Sequence, residues 1–251
     1  LGAAILASRA AVRAGAGLVT LGVSRELVPF ADIASIESMT LGYDAVAGGR
    51  IARAGIDVVL EACRERDALA MGPGMGTRGE TGDAIREIAL RAPVPVVLDA
   101  DAVNAFAGSA SDLAGRSHPT VLTPHPGELA RLMEAEVPRT PEERLEAVRG
   151  AAAVTECVIV LKGHQTLIAD PDGRLALNPT GNPGMATGGT GDVLTGMIGA
   201  YLARGIQAFE AACLGAFLHG RAGDLAAEEI GEESLAAGDL LDSLPETLFD
   251  F

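Results

Sequence analysis

Asn182 to Gly196 reads Asn-Pro-Gly-Met-Ala-Thr-Gly-Gly-Thr-Gly-Asp-Val-Leu-Thr-Gly, and it places Gly188, Gly189 and Gly191 just ahead of a carboxylate, Asp192. Glycines have no Cβ and tolerate φ > 0, so their consecutive N–H groups can converge on one anion. Val193, Leu194, Met197, Ile198, Tyr201 and Leu202 then recur at helical spacing. The implied geometry is a glycine loop opening into a helix whose free N–H groups and dipole favour negative charge. Asp192 in that position is either the cap of the helix or a group that does chemistry, and an anionic ligand would share the site with it.

Four further motifs begin where short apolar runs end. Gly72-Pro-Gly-Met-Gly76 follows Asp67 to Met71, Asp99-Ala-Asp101 follows Val96 to Leu98, Thr123-Pro-His-Pro-Gly-Glu128 follows Val121 and Leu122, and Lys162-Gly-His-Gln-Thr166 follows Cys157 to Leu161. Ligands of open α/β sheets bind outside the carboxyl ends of the strands, so four such endings at one edge point to a composite site. Asp99 and Asp101, two apart on an extended strand, would present both carboxylates to one face. Lys162 is the only lysine among 19 basic residues. That choice suits a position needing a compact ammonium rather than a planar guanidinium. The Gly-x-x-x-x-Gly-Lys-Ser/Thr pattern of a P-loop is absent from the sequence.

The elements that must position these groups follow from pattern. Helices are expected over Gly2 to Ala14, Gly55 to Arg66, Thr81 to Leu90, Glu128 to Glu134, Pro141 to Val154 (capped by Thr140), from Asp192 onward, Ala208 to Ile230, and Asp239 to Leu244. Strands are expected at Leu18 to Val23, Ile36 to Leu41 and the four runs named above. Leu167 to Asp170 and Arg174 to Asn178, joined by Pro-Asp-Gly, read as a hairpin. Strands alternating with helices argue for α/β architecture, a doubly wound, mostly parallel sheet with helices on both faces. At 251 residues and 48% hydrophobic composition, residues 1–251 read as one domain with one core.

Composition also excludes. A net charge of −15 with 3% aromatic residues argues against a nucleic-acid partner, which needs clustered cations and stacking surfaces. Cys63, Cys157 and Cys213 are too dispersed for a zinc site or a disulfide framework, and fit thiols in a reducing, cytoplasmic setting. Ala208 to His219 is too short and too interrupted to span a bilayer, so no membrane partner is expected. The first residue is Leu and the chain opens directly in helical pattern, so an N-terminal portion is expected to be missing or to belong to a larger polypeptide.

Taken together, the five motifs resemble the ADP/ATP-dependent NAD(P)H-hydrate dehydratases of the ribokinase-like superfamily, in order and over nearly the whole chain. The resemblance implies a repair reaction on the S form of hydrated NADH or NADPH. The added ring hydroxyl is phosphorylated from ADP or ATP with Mg²⁺, and phosphate then leaves to restore the double bond. On the same resemblance Asp192 is the general base, and Gly189 and Gly191, with Thr190, form the anion hole. Lys162, Gly163, His164, Gln165 and Thr166, together with Gly191, contact the nucleotide, and no catalytic task falls to His164. Ala4, Gly74, Asn104, His125 and Asp192 contact the hydrated dinucleotide, and Glu128 acts on Mg²⁺ through water. Relatives form tetramers, and many carry an upstream epimerase domain. The family normally opens with a strand and a glycine-rich turn ahead of Gly2, which this sequence lacks.

Each residue also has a plainer reading. Asp192 could be only a cap, Asp99 and Asp101 a strand terminus, His125 a rigid turn residue between prolines, and the Gly72 to Gly76 loop a packing device. His118, His219 and the cysteines read as structural. Two other functions are compatible with the glycine loop: a vitamin or sugar kinase of the same superfamily, such as a hydroxyethylthiazole or hydroxymethylpyrimidine kinase, and a non-catalytic dinucleotide-binding module. The Asn-Pro-Gly-Met-Ala run disfavours the first, and retention of Asp192 the second.

Overall fold

The computed structural model describes residues 1–249. The chain runs α1 (Gly2–Arg13), β1 (Thr20–Ser24), α2 (Val28–Ala34), β2 (Met39–Tyr43), β3 (Ala45–Val46), β4 (Arg50–Ile51), α3 (Ile56–Cys63), β5 (Leu69–Met71), α4 (Glu80–Arg91), β6 (Val96–Leu98) and α5 (Ala100–Asn104). It continues with β7 (Thr120–Leu122), α6 (Pro126–Leu132), α7 (Pro141–Thr155), β8 (Val158–Leu161), β9 (Leu167–Ala169), β10 (Leu175–Leu177), α8 (Thr190–Ala203), α9 (Ala208–Ile230) and α10 (Ala237–Phe249).

The central sheet has the order β10-β9-β8-β7-β6-β5. Strands β5 to β8 are mutually parallel, with Val97 opposite both Ala70 and Val121, and β9 is antiparallel to β8 and β10. Because both faces are covered, the strands read as continuous apolar runs rather than alternating ones; all of Val158 to Leu161 is buried. Alternation appears instead in which core each residue enters. Val96, Leu98, Leu122, Ile159 and Leu161 pack with α3 to α7, whereas Val97, Val121, Val158 and Val160 pack with α1 and α8 to α10. This is the doubly wound arrangement expected from sequence.

Strands β1 and β2 form a separate parallel pair, and β3 with β4 a short antiparallel ribbon that the sequence reading lacked. β1 and β5 each pair on one side only, and both line a cavity of about 640 Å³ walled by α1 and α8. This cavity is the gap between the small strand pair and the main sheet.

Local chemistry accounts for the element boundaries. The Thr140 side chain accepts from the Glu143 N–H while Glu143 reaches back to the Thr140 N–H, a capping box with Pro141 at the first helical position. Where the sequence expectation differs, the reason is visible. The strand expected at Ile36 to Leu41 lies at Met39–Tyr43, because Ile36 and Ser38 sit in a turn in which Ser38 bonds back to Ser35. Asp99 and Asp101 do not share a strand face: β6 ends at Leu98, Asp99 is the N-cap of α5, and Asp101 lies one residue inside it. The last helix extends through Pro245 to Phe249, well beyond Leu244.

Helices α1 and α8 meet closely because Gly196 has no side chain. A Cβ there would lie 2.0 Å from the Ala7 carbonyl oxygen, which is backbone and cannot swing aside. Gly196→Ala is therefore expected to cost roughly 1–3 kcal/mol of stability, the usual range for overpacking. Chemical denaturation of the variant beside the parent measures it.

Candidate active site

The glycine loop closes onto α8 through its own backbone. Gly189 takes the left-handed conformation (φ 97°) as N-cap, and its carbonyl accepts from the N–H groups of Asp192 and Val193. The Thr190 hydroxyl donates to the carbonyls of Met185 and Thr187, which fixes the turn from inside. The N–H groups of Gly189, Thr190 and Gly191 find no acceptor among the described residues. The segment is thus a set of unpaired donors at a helix N-terminus, suited to an oxyanion. Gly189 is irreplaceable on two counts: its φ, and a Cβ that would lie 2.7 Å from Leu6 Cδ1 and 2.9 Å from Ala237 Cβ.

Three strand ends bring charge to this loop. Asp99 is 1% exposed. One of its carboxylate oxygens takes the Lys162 ammonium at 2.6 Å, the other the Thr195 hydroxyl at 2.8 Å. Lys162 Nζ is also 3.8 Å from Glu128 Oε2, and it stands 3.4 Å from where a Gly191 Cβ would be. The Lys162 N–H donates to the Pro124 carbonyl at 2.9 Å, so the loops after β7 and β8 are tied together. Asp192 lies across the glycines, its Oδ2 4.0 Å from the Cβ position of Gly189.

Burial, and then the negative charge of Asp99, push the Asp192 carboxyl up to about 6, with Lys162 opposing. A carboxylate poised there is basic enough to take a proton near neutral pH and weak enough to give it up again. This environment separates Asp192 from an ordinary exposed helix cap.

His125 is more than a rigid turn residue. It is the N-cap of α6; its Nδ1 accepts from the Gly127 and Glu128 N–H groups, and Glu128 Oε2 accepts from the His125 N–H at 2.8 Å. With Nδ1 used as acceptor, a neutral ring carries its proton on Nε2, on a side chain that is half exposed. Asp101 accepts from the Gly76 N–H at 2.8 Å and so anchors the Gly72 to Gly76 loop. Gly74 (φ 67°) then lies beside Ala3 at the start of α1, next to Ala4. Asn104 is held by Arg131 through Nε and Oδ1 at 2.9 Å.

The structure thus brings Lys162, Gly191 and Asp192 close to Asp99, with Glu128 reached through Lys162 and His125 through Glu128, whereas Gly74 lies beside Ala3 and Ala4 packs with Leu21, Val23 and Ala31. Asn104 and residues 163–166 form no hydrogen bond to that group. The 163–166 loop is shaped separately: Gly163 and Gln165 have positive φ, and Arg144 of α7 donates to the carbonyls of His164 at 2.7 Å and Gln165 at 3.4 Å. Sequence reading did not find Arg144 or Thr195. A threonine in the buried run Val193-Leu-Thr195 was the available signal for the second, since a hydroxyl there needs a partner. Among the described residues no three His, Cys, Asp or Glu side chains converge as a metal cage.

One consequence concerns stability. The folded pKa of Asp192, about 6, lies above the ordinary value of 3.8 for an aspartate, so the native state holds this proton more tightly than the unfolded chain does. Its contribution is full below the unfolded value and is lost as pH rises through the window up to about 6. Asp192→Asn, which never charges, is expected to raise the melting temperature relative to the parent at about pH 8 and to bring little gain at about pH 4. Thermal unfolding of both proteins at both pH values checks the sign.

A family model described as NAD(P)H-hydrate dehydratase matches residues 1–246. A bifunctional NAD(P)H-hydrate repair enzyme from Moorella thermoacetica is 47% identical over 247 residues, 98% of this chain and 47% of its own. The chain spans about half the length of the first curated relatives it matches. An ADP-dependent (S)-NAD(P)H-hydrate dehydratase from Neisseria meningitidis is 40% identical over 240 residues, 94% of this chain and 76% of its own. The Bacillus subtilis ADP/ATP-dependent NAD(P)H-hydrate dehydratase co-crystallised with ATP and Mg²⁺ superposes with a TM-score of 0.82 at 34% identity, covering 99% of this chain and 84% of that one. A hydroxyethylthiazole kinase from Pyrococcus horikoshii shares the fold at a TM-score of 0.60 and 18% identity.

Proposed function

Because this chain belongs to the NAD(P)H-hydrate dehydratase family, we propose that it dehydrates the S form of hydrated NADH or NADPH at the expense of ADP or ATP. The observation that carries the reading is the Asp192 carboxylate, pushed up to about 6, beside the unpaired N–H groups of Gly189, Thr190 and Gly191.

In this reading Asp192 takes the proton of the ring hydroxyl as its oxygen attacks the terminal phosphorus of the nucleotide. The new P–O bond forms as the bond to the bridging oxygen breaks, and the shortened nucleotide leaves. Gly189, Thr190 and Gly191 donate to the charge spread over the transferring group, where catalysis is mostly positioning and electrostatics. The ring C–O bond then breaks with phosphate as leaving group, and a proton is lost from the neighbouring carbon, which restores the double bond. Hydroxide would be a far poorer leaving group than phosphate.

Lys162 is directed at the nucleotide phosphates by Asp99, and Gly163 to Thr166, held by Arg144, border the nucleotide. Ala4, Gly74, Asn104 and His125 contact the dinucleotide in the same reading. Mg²⁺ in phosphoryl-transfer sites is bound by one or two carboxylates, by water and by the substrate phosphates rather than by a full protein cage. Glu128 fits such a role: its Oε2 is used by the His125 N–H and lies 3.8 Å from Lys162 Nζ, while among the described residues its Oε1 meets only the His125 ring, at 3.5 Å. The ion, when bound, would neutralise phosphate charge.

Leu18, Phe30, Ile33 and Ile36 are large apolar side chains left exposed around α2 and the starts of β1 and β2, which supports a homo-oligomer, read as a tetramer. Relatives named bifunctional, of which this chain spans 47%, support an upstream epimerase domain. The three free thiols suit a reducing, cytoplasmic setting.

Incubation with hydrated NADH and either nucleotide, followed by the near-ultraviolet absorbance of regenerated NADH, tests the reading directly. No signal from folded protein with either nucleotide would sink it, and a stable phosphorylated product from a thiazole or pyrimidine alcohol would move it to the kinase class. Asp192→Asn should lower turnover by roughly 10²–10⁴-fold, the usual worth of a general base, while nucleotide affinity stays. Asp99→Asn removes the like charge that raises Asp192. The acid limb of its kcat/KM profile is expected below the parent's, which falls near 6; an unmoved limb would mean that Asp192 is not the titrating base.

A further inference from the structure

Helix α9 holds the glycine loop along one face, through residues at helical spacing. The Ala216 carbonyl accepts from Asn178 Nδ2 and the Phe217 carbonyl from the Thr180 hydroxyl; one turn on, Gly220 lets Thr180 approach to 2.2 Å of its Cβ position. A further turn on, the Gly223 carbonyl accepts from Asn182 Nδ2 at 2.9 Å, and Asp224 accepts from the Gly181 N–H at 3.0 Å. Between these contacts stands His219, whose Nε2 lies 2.8 Å from the Thr190 carbonyl oxygen.

That carbonyl belongs to the same peptide group as the Gly191 N–H. A trans peptide is planar with its C=O and N–H pointing in opposite directions, so a donor on the Thr190 oxygen sets the direction in which the Gly191 N–H points. Thr190 is the first residue of α8, and its carbonyl oxygen has two lone pairs, one for the helix and one for the imidazole. The opposite end of the peptide faces out of the helix N-terminus, toward the oxyanion position. Burial lowers the pKa of His219 to about 4, with the Thr190 hydrogen bond opposing. The ring is therefore neutral in the working range and must carry its proton on Nε2 to bond the carbonyl.

We infer that His219 is a positioning residue of the anion hole, which acts through the Thr190–Gly191 peptide to aim the Gly191 N–H at the transferring phosphoryl group. This inference rests on the proposed reading of the glycine loop. It concerns only groups that strengthen as charge develops, so its effect belongs to the transition state and not to nucleotide binding.

The test compares His219→Leu, which fills the space without a donor, with His219→Gln, whose amide nitrogen stands near the position of Nε2. Loss of one anion-hole donor costs about 10²–10³ in kcat, and misdirecting one should cost roughly 10–100-fold. The leucine variant is expected to lose that factor in kcat and the same factor in affinity for the shortened nucleotide (AMP where ADP is the donor, ADP where ATP is) with aluminium fluoride, a mimic of the transferring group. Its affinity for that shortened nucleotide alone should be unchanged, and the glutamine variant should recover most of both losses. Retained kcat and fluoride-complex affinity in folded His219→Leu would overturn the inference, as would equal loss in both variants. If the leucine variant does not fold, ¹⁵N-imidazole NMR of the parent decides: a neutral Nε2–H tautomer is expected, and an Nδ1–H tautomer or a charged ring would overturn the donor role. Failure of the parent to bind the fluoride complex at all would instead overturn the reading of the loop as an anion hole.

Discussion

A buried carboxylate is the constraint on which the rest of the site depends. Asp99 sits at the end of β6 with almost no access to water, and it is tolerable there because each oxygen has its own partner: Lys162 from the end of β8 and Thr195 from the first turns of α8. Breaking such a pair by removing one member typically costs about 3–5 kcal/mol, because the other charge is left uncompensated. The pair is thus weak evidence for stability and stronger evidence for registration. It fixes the distance between two strand ends and the helix that carries the glycine loop, so the ammonium and the Asp192 carboxylate occupy set positions on either side of the unpaired N–H groups. It also tunes the base, since the charge that anchors Lys162 is the one that raises Asp192.

Much of this was legible in the sequence, for physical reasons. A strand covered on both faces gives an unbroken apolar run, and runs such as Val158 to Leu161 mark their own ends. The motifs follow those ends, so the sheet edge carrying the site could be found without coordinates. Thr140 and Pro141 announced their helix through capping chemistry that depends only on neighbours. The shortfall was greatest where meaning depends on distant partners. Asp99 and Asp101 look equivalent in the chain, yet one residue of difference in where β6 stops sends Asp99 to Lys162 and Asp101 to the Gly76 N–H. His219 and Arg144 act on loops that precede or follow them by some twenty to thirty residues, and nothing local in α9 or α7 distinguishes them from packing residues.

The two cores divide labour. The side of the sheet covered by α3 to α7 supports loops that end in polar anchors: Asp101 on Gly76, Arg131 on Asn104, Arg144 on His164. The side covered by α1, α8, α9 and α10 supports the glycine loop through hydrogen bonds from α9 and through close approach of small residues, with Gly196, Gly220 and Gly223 each lying against a neighbour's atoms. An acidic chain with one lysine is consistent with this division. Where few side-chain cations can be spared, backbone N–H groups receive the anion, and backbone can be brought to a ligand only if the surrounding residues are small.

Gly189 carries a consequence for the order of events during folding. Its walls are Leu6 of α1 and Ala237 of α10, elements separated by nearly the whole described sequence. Contacts of such long range are closed late, since the loop-closure entropy must be met before they contribute anything. Without α10 the loop would lose its Ala237 wall, and the core would lose Leu240, Leu241 and Leu244, which share a buried cluster with Val97, Val121 and Val160 of the central sheet. The shape of the glycine loop is therefore among the last features the fold completes, since it needs both ends of the described sequence in place.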